Sequence, residues 1–169
     1  MRAPAPTHRT HRTSPNLIMR QVDPGPRVLR AHRPKAIVSD IDGTITTLPH
    51  HNPAGDVPVP QMIRLLRQMK AKGYKVVVLT ARKASEKAMT YRWLRRQGVP
   101  FDLLITRDVG DEESPALYKL HAFRRLIEPY FRVDFALDDK ANCWHYLGIH
   151  RPYINRVRSL GADAYRHIA

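Results

Sequence analysis

Residues Ala36 to Thr47 read AIVSDIDGTITT. The apolar run Ala36-Ile37-Val38 predicts a buried strand, and Asp40-Ile41-Asp42-Gly43-Thr44 falls where that strand should end. Two carboxylates one residue apart, beside a glycine that lets the backbone turn sharply, sit where open α/β sheets place their ligands, at the carboxyl ends of strands. Such a pair can hold a divalent cation and attack a phosphorus atom.

Outward from this point, strands and helices alternate, which predicts a parallel sheet with helices on both faces. The first strand is Ala36 to Asp40. A helix should begin near Pro60, turn Met62, Ile63, Leu65, Leu66 and Met69 inward and stop at Gly73, with proline just inside its start and glycine just past its end. Lys75 to Thr80 is the second strand. A second helix runs from about Ser85 to Gln97, with Ala88, Tyr91 and Leu94 on its inner face and Gly98 as its stop. Phe101 to Thr106 is the third strand. Ser114-Pro115 supplies an N-cap followed by proline at the first helical position, opening a helix to about Glu128. Val133 to Asp138 is the fourth strand. Beyond Ala141 the pattern breaks: Gly148 and Pro152 interrupt two short helical stretches before Gly161 and a last strand, Ala162 to Ile168.

The DxDGT signature, Asp40-Ile41-Asp42-Gly43-Thr44, resembles the first motif of the haloacid dehalogenase (HAD) phosphatase superfamily. The other elements of that pattern follow in order: Thr80 closes the hydrophobic strand YKVVVL, Lys119 lies on a later helix in ALYKLHAF, and Asp138-Asp139 close the fourth strand. The resemblance implies a HAD-like Rossmannoid three-layer sandwich. It also implies that Asp40 is the nucleophile, forming an aspartyl-phosphate, and that Asp42 is the general acid for the leaving oxygen and then the base for water. One Mg²⁺ would be held by the Asp40 carboxylate, the Asp42 backbone carbonyl and Asp138. Thr80 would donate to a phosphoryl oxygen, and Lys119 would balance the charge of nucleophile and phosphate. Thr44 joins the substrate-binding set, and Asp139 would orient Lys119 or the metal waters without binding the ion itself.

From about Lys35 to the C-terminus the chain is similar to the 3′-phosphatase domain of phage polynucleotide kinase, through KAIVSDIDGT, MKAKGYKVVVLTAR, TYRWLRRQGVPFDLLI, Gly110-Asp111 with Lys119, HAFRRLIEPYFRVDFALDD and RVRSLGADAYRHI. The family's Arg after the second motif faces the substrate phosphate, which implies a substrate-binding role for Arg82. Three departures stand beside the match. Glu112, Glu113 and Ser114 replace basic residues of the family, and these acids serve to favour the start of the following helix. The segment after Thr44 is shorter than in the family. Residues 141–153, with Trp144, His145, Tyr146, His150 and Arg151, read as an insertion after the metal-binding strand end. Trp144 and Tyr146 offer faces for base stacking and Arg151 a phosphate contact, but the simpler expectation is that Trp144, Tyr146 and Leu147 pack a helix on the sheet. Arg92, Arg95 and Arg96 are read as a solvated helix face, with a phosphate-binding stripe as the alternative. The adjacent pair His50-His51 is not a metal site.

Residues 46–60 leave no room for a large cap, so the expected site is uncapped and open to a macromolecule. No G-x-x-x-x-G-K-[ST] occurs, so the kinase half is expected to be absent. At 169 residues the chain suits one α/β domain, residues 36–169. Residues 1–35 carry eight basic residues and one acid, Asp23, with repeated Pro, Thr and His, and read as a disordered arm able to attract phosphates. The alternative is that translation begins at Met19. Formal net charge is +14, and the folded part is basic without its arm. A single cysteine, Cys143, excludes an intrachain disulfide and fits a reducing compartment. With no apolar run of membrane-spanning length and no signal-peptide segment, a cytoplasmic protein is expected, in the host cytoplasm if phage-encoded.

The reading is therefore a Mg²⁺-dependent phosphomonoesterase acting on terminal 3′-phosphates of DNA or RNA, with a separate kinase or ligase as partner. The alternatives are a nucleotidase or small-metabolite phosphatase, and a basic nucleic-acid-binding adaptor without catalysis. Intact Asp40, Asp42, Thr80, Lys119 and Asp138 argue against the last.

Overall fold

A computed structural model describes residues 32–47, 56–140 and 143–151. Its elements are β1 (Lys35–Ser39), α1 (Pro60–Ala71), β2 (Lys75–Lys83), α2 (Lys87–Arg96), β3 (Leu103–Arg107), α3 (Pro115–Leu126) and β4 (Arg132–Leu137). The four strands form one sheet in the order β3-β2-β1-β4, and each neighbouring pair is parallel.

Both faces of the sheet are covered, which is why its strands read as continuous apolar runs. Side chains alternate between the faces. Ile37, Val76, Val78, Leu104, Phe135 and Leu137 point to a core completed by Met62, Ile63, Leu65, Leu66 and Met69 of α1 and by Trp93 and Leu94 of α2. Val38, Val77, Leu79, Ile105 and Ala136 point the other way, against Tyr118, Ala122 and Phe123 of α3. Each large aliphatic side chain so buried contributes about 1.5–3 kcal/mol. The three layers expected for the fold are present.

The strand order fixes where the site lies. The chain moves outward from β1 to β2 to β3, then α3 crosses to the opposite face and β4 lands on the free side of β1. Connections leave β1 and β4 in opposite directions, so a crevice opens at the carboxyl ends of these two strands. In register, Ser39 lies opposite Leu137 on one side and Val78 on the other. Asp40, Asp138 and Thr80 therefore come to one edge.

The expected inward stripe of α1 is observed in full, with Pro60 at its first turn. At α3 the Ser114 hydroxyl accepts the Leu117 N–H at 3.3 Å, the predicted N-cap. The inner face of α2 differs from expectation: Ala88 and Tyr91 are exposed, and Thr90, Trp93 and Leu94 are buried. A 3₁₀ turn, Ala84–Glu86, precedes α2. The inward stripe is thus 90/93/94, and Thr90 reads as polar in the sequence. β2 also runs past Thr80 to Lys83; it loses register with β3 after Leu79 and regains it where Lys83 meets Arg107.

The chain leaving the DxDGT turn and the chain returning to α1 lie side by side. Thr46 pairs antiparallel with Pro58, the Thr47 N–H donates to the Val57 carbonyl at 3.0 Å, and the Val59 N–H donates to the Ile45 carbonyl at 2.8 Å. Only residues 48–55 connect them, and only the 3₁₀ turn connects β2 to α2, so neither insertion point has length for a large cap. His50-His51, most of the basic arm and the strand expected at Ala162 to Ile168 lie outside the described residues. Among the described residues no helix is long and apolar enough to cross a membrane.

Candidate active site

Asp40 is the first residue beyond β1, and its N–H donates to the Leu137 carbonyl at 2.8 Å, tying the ends of β1 and β4 together. Asp138 is the first residue beyond β4 and is fully buried. Lys119 reaches between them from the second turn of α3: Nζ lies 3.0 Å from Asp40 Oδ2 and 2.8 Å from Asp138 Oδ2. All three groups are buried. Burial pushes the Asp40 carboxyl up to about 7, the neighbouring Asp138 adds to the rise, and Lys119 opposes it. Burial would lower the Lys119 ammonium, but Asp40 and Asp138 outweigh it and hold the group well above the ordinary lysine range. Lys119 is therefore a fixed positive charge.

The DxDGT turn brings in a third carboxylate. The Thr44 hydroxyl accepts the Asp139 N–H at 3.0 Å, which pins the residue after Asp138 against the turn. Gly43 has φ +75°, and a Cβ there would lie 2.5 Å from Asp139 Oδ2. Only glycine admits both this backbone and this approach. Gly43→Ala is expected to destabilise the fold by about 1–3 kcal/mol and to displace the Asp139 carboxylate. Urea denaturation with a metal titration checks both effects.

Oxygens of Asp40, Asp138 and Asp139 lie within 4.8 Å of one another, close enough to share one cation. Three carboxylates face a single buried ammonium, so the cluster carries unbalanced negative charge; at Asp40 burial is the main cause of the rise and Asp138 adds to it. Burial, with Asp138 adding to it, also raises Asp139. An all-oxygen, anionic donor set suits a hard divalent ion such as Mg²⁺. The fit is good.

Asp42 points elsewhere. Arg82 Nη2 donates to Asp42 Oδ1 at 2.7 Å and Nε donates to Asp42 Oδ2 at 3.1 Å, a two-pronged grip. Nη2 also donates to Asp56 Oδ2 at 2.9 Å, and Nη1 to Thr90 Oγ1 at 3.4 Å. Burial would lower the Arg82 guanidinium, and Asp42 with Asp56 raises it instead. Thr80, at the expected place on β2, is fully buried, and its hydroxyl accepts the Arg82 N–H at 3.3 Å. The structure thus assembles Asp40, Thr44, Lys119, Asp138 and Asp139 in one cluster. Asp42, Thr80 and Arg82 form an adjoining one that the sequence reading had not separated.

Asp56 is absent from that reading, and Trp144 enters it only as a packing or stacking residue. Asp56 sits in a Pro- and Gly-rich stretch and gives no local signal beyond being an acid just ahead of a helix. Trp144 had been expected to pack, and it does: it is almost fully buried, edge-on to Phe123 with ring centroids 6.0 Å apart. Its indole Nε1–H also donates to Asp138 Oδ2 at 2.8 Å. Residues 143–148 form turns in place of the expected helix, and Tyr146 is exposed. Arg151 Nη1 donates to the Asp138 backbone carbonyl at 2.9 Å. Arg92, Arg95 and Arg96 are exposed on α2, as a solvated face requires. Glu113 pairs with His121 of α3 at 2.9 Å. Burial pushes the Cys143 thiol up to about 11, so it is a packed and unreactive group.

The comparisons with known proteins agree with this geometry. The model of the polynucleotide kinase PNKP phosphatase domain family matches residues 34–151, well over half of the chain. A chain from a structure of a Pnkp1/Rnl/Hen1 complex is 28% identical with a TM-score of 0.68, over 73% of this chain and 46% of that one. A second, from the Pnkp1/Rnl/Hen1 RNA repair complex, is 27% identical with a TM-score of 0.67, over 72% of this chain and 42% of that one. This chain therefore spans less than half the length of either. A HAD-like protein from Mesorhizobium loti shares the fold at 17% identity, with a TM-score of 0.53 over 81% of this chain and 88% of that one. With its carboxylates and lysine gathered at the β1/β4 crevice and its matched span covering every described strand and helix, the chain belongs to the HAD-type phosphatase domains of the polynucleotide kinase PNKP family.

Proposed function

We propose that the chain is a Mg²⁺-dependent phosphomonoesterase that removes terminal 3′-phosphates from polynucleotides through an aspartyl-phosphate on Asp40. The observation that carries this reading is the buried Asp40–Lys119–Asp138 arrangement with Asp139 beside it. It combines a nucleophile, a fixed positive charge and a surplus of carboxylates that one divalent cation would balance. Asp40, Asp138 and the Asp42 carbonyl would hold Mg²⁺, and the bound ion would offset the repulsion between a carboxylate nucleophile and a phosphate dianion. Asp139 would orient the remaining ligand waters.

Lys119, anchored by two carboxylates, holds Asp40 in place and presents positive charge to the incoming phosphoryl oxygens. Thr80 donates its hydroxyl proton to one of those oxygens. Asp42 protonates the leaving 3′-oxygen and then takes a proton from the attacking water. Arg82 acts on this step through Asp42: its grip sets the carboxylate's direction, and Asp56 and Thr90 fix the guanidinium in turn.

Polynucleotide as substrate is supported by the family, by the likeness to a chain of an RNA repair complex, and by the lack of room for a cap. A separate kinase or ligase is the partner such an end-processing reaction implies. A sharp preference for the 3′-phosphorylated oligonucleotide over a 3′-mononucleotide, measured as kcat/KM, is expected; the reverse preference would favour a nucleotidase. Deleting residues 1–34 is expected to raise KM for the oligonucleotide and to flatten its salt dependence, with kcat little changed. Equal KM values at low and moderate salt would exclude the arm as a substrate-binding element.

Metal binding should depend on pH in a defined direction. The Asp40 carboxyl holds its proton up to about 7 when no ion is bound. Below that pH the ion must displace a proton, so its apparent affinity should fall roughly tenfold per pH unit on going down, and level off above. Calorimetric Mg²⁺ titrations between pH 5.5 and pH 8.5 check this. Asp40→Asn should weaken binding and abolish the slope.

A further inference from the structure

Asp138 is held on two sides by the segment 143–151. Trp144 Nε1–H donates to Oδ2 of its carboxylate, and Arg151 donates to its backbone carbonyl. The same segment is stitched to the outer edge of β4, where the Ala136 N–H donates to the His150 carbonyl at 2.9 Å and His150 bridges Phe135. Phe123 of α3 stands edge-on to the indole and fixes its plane.

We infer that Trp144 is a positioning residue for the metal ligand Asp138: together with Lys119 it holds Oδ2, and so fixes the direction in which the carboxylate faces the cation. This rests on the metal-site reading above.

Oδ2 receives two short donors, Lys119 Nζ and Trp144 Nε1, each at 2.8 Å. A carboxylate oxygen has two lone pairs, so two donors converging on Oδ2 hold it from two sides. Oδ1 also takes the Lys140 N–H at 3.0 Å, which fixes the rotation of the carboxylate plane. Indole suits the task for an electrostatic reason. It is a donor with no acceptor and no charge, so it orients the anion without adding a second cation that would oppose Mg²⁺. A lysine or arginine in its place would neutralise the ligand it serves. Partners of this kind behind a metal ligand typically carry about 10–100-fold in metal affinity or activity.

The chain has two tryptophans, Trp93 in α2 and Trp144. Trp93 lies in the core on the opposite face of the sheet from Trp144. In Trp93→Phe, the emission of the remaining Trp144 should therefore report Mg²⁺ or Mn²⁺ binding directly. The test is metal titration of full-length wild type, Trp144→Phe, Trp93→Phe and Asp138→Asn by calorimetry, with tryptophan emission followed in Trp93→Phe and thermal melting of each metal-free protein. Trp144→Phe keeps the ring and removes the N–H.

The expected result is a metal Kd raised about 10–100-fold in Trp144→Phe, wild-type Kd in Trp93→Phe, and an emission change in Trp93→Phe that saturates with the calorimetric isotherm. A wild-type Kd in Trp144→Phe, with melting lowered or not, would overturn the inference and leave the indole as packing alone. Were Trp144→Phe not to fold, an emission of Trp144 that is unmoved by metal would overturn it equally. If Asp138→Asn bound metal as tightly as wild type, the metal-site reading itself would be the one to fall, whatever Trp144→Phe did.

Discussion

Replacing Asp40 with Asn is expected to abolish turnover, by more than about 10⁴-fold, because the covalent route loses its nucleophile and the remaining groups act only in concert with it. The fold should survive, since the lost charge is a cost to the folded state. The sign follows from the shift: folded Asp40 keeps its proton up to about 7, whereas the unfolded chain releases it near 3.8. Between those values the folded form binds more protons, so this group makes the metal-free protein less stable as pH rises. Asp40→Asn should remove that loss, and its denaturation midpoint above pH 7 should equal or exceed that of wild type. Activity within a few-fold of wild type would exclude the covalent mechanism. Thermal or urea denaturation at pH 5 and pH 8 checks the stability half independently.

Asp42→Asn should cost about 10²- to 10⁴-fold in kcat with metal affinity within a few-fold of wild type, since the backbone carbonyl is unaltered and the side chain faces Arg82 and not the Asp138 cluster. Mutating Asp56 should act on the same step less severely, through Arg82. A large rise in the Mg²⁺ requirement of Asp42→Asn, with an unchanged rate at saturating metal, would show that Asp42 serves the ion and not the proton. Rate measurements across a Mg²⁺ series separate the two.

These predictions rest on residues with very different visibility in the sequence. Asp40, Asp42, Thr80, Lys119 and Asp138 were legible because the family resemblance picks them out and each sits at the end of an apolar run or on a well-capped helix, where local pattern sets position. Parallel pairing of those runs then carries the residues to one crevice. The links among side chains were not legible. Asp56 meets Arg82 only because Thr46 and Pro58 pair across a loop, and the sequence shows neither the pairing nor the partner. Thr90 reads as a polar surface residue, and its burial beside the Arg82 guanidinium shifts the inner face of α2 away from Tyr91. Trp144 was legible as a packing residue, but the direction of its N–H is set by a turn whose geometry periodicity does not encode. Local signals and the family motifs located the candidate groups, and long-range contacts decided how each is oriented.

Those contacts also bear on the lack of room for a cap at either insertion point. Lys119, ordered by two carboxylates, would receive the substrate phosphate, and Asp42, ordered by Arg82, would face its leaving oxygen, so no cap is needed to complete the arrangement. Under the proposed function, exclusion of water, which a cap would otherwise provide, would fall to the substrate itself. A polynucleotide end is large enough to cover the crevice, and a small phosphate ester is not.

The most direct measurement uses one oligonucleotide phosphorylated at both ends, incubated with the full-length chain and Mg²⁺ and read by mass. The expected product has lost its 3′-phosphate and kept its 5′-phosphate, with no reaction in chelator or with Asp40→Asn. Loss of the 5′-phosphate, or retention of both with Mg²⁺ present, would contradict the proposed function.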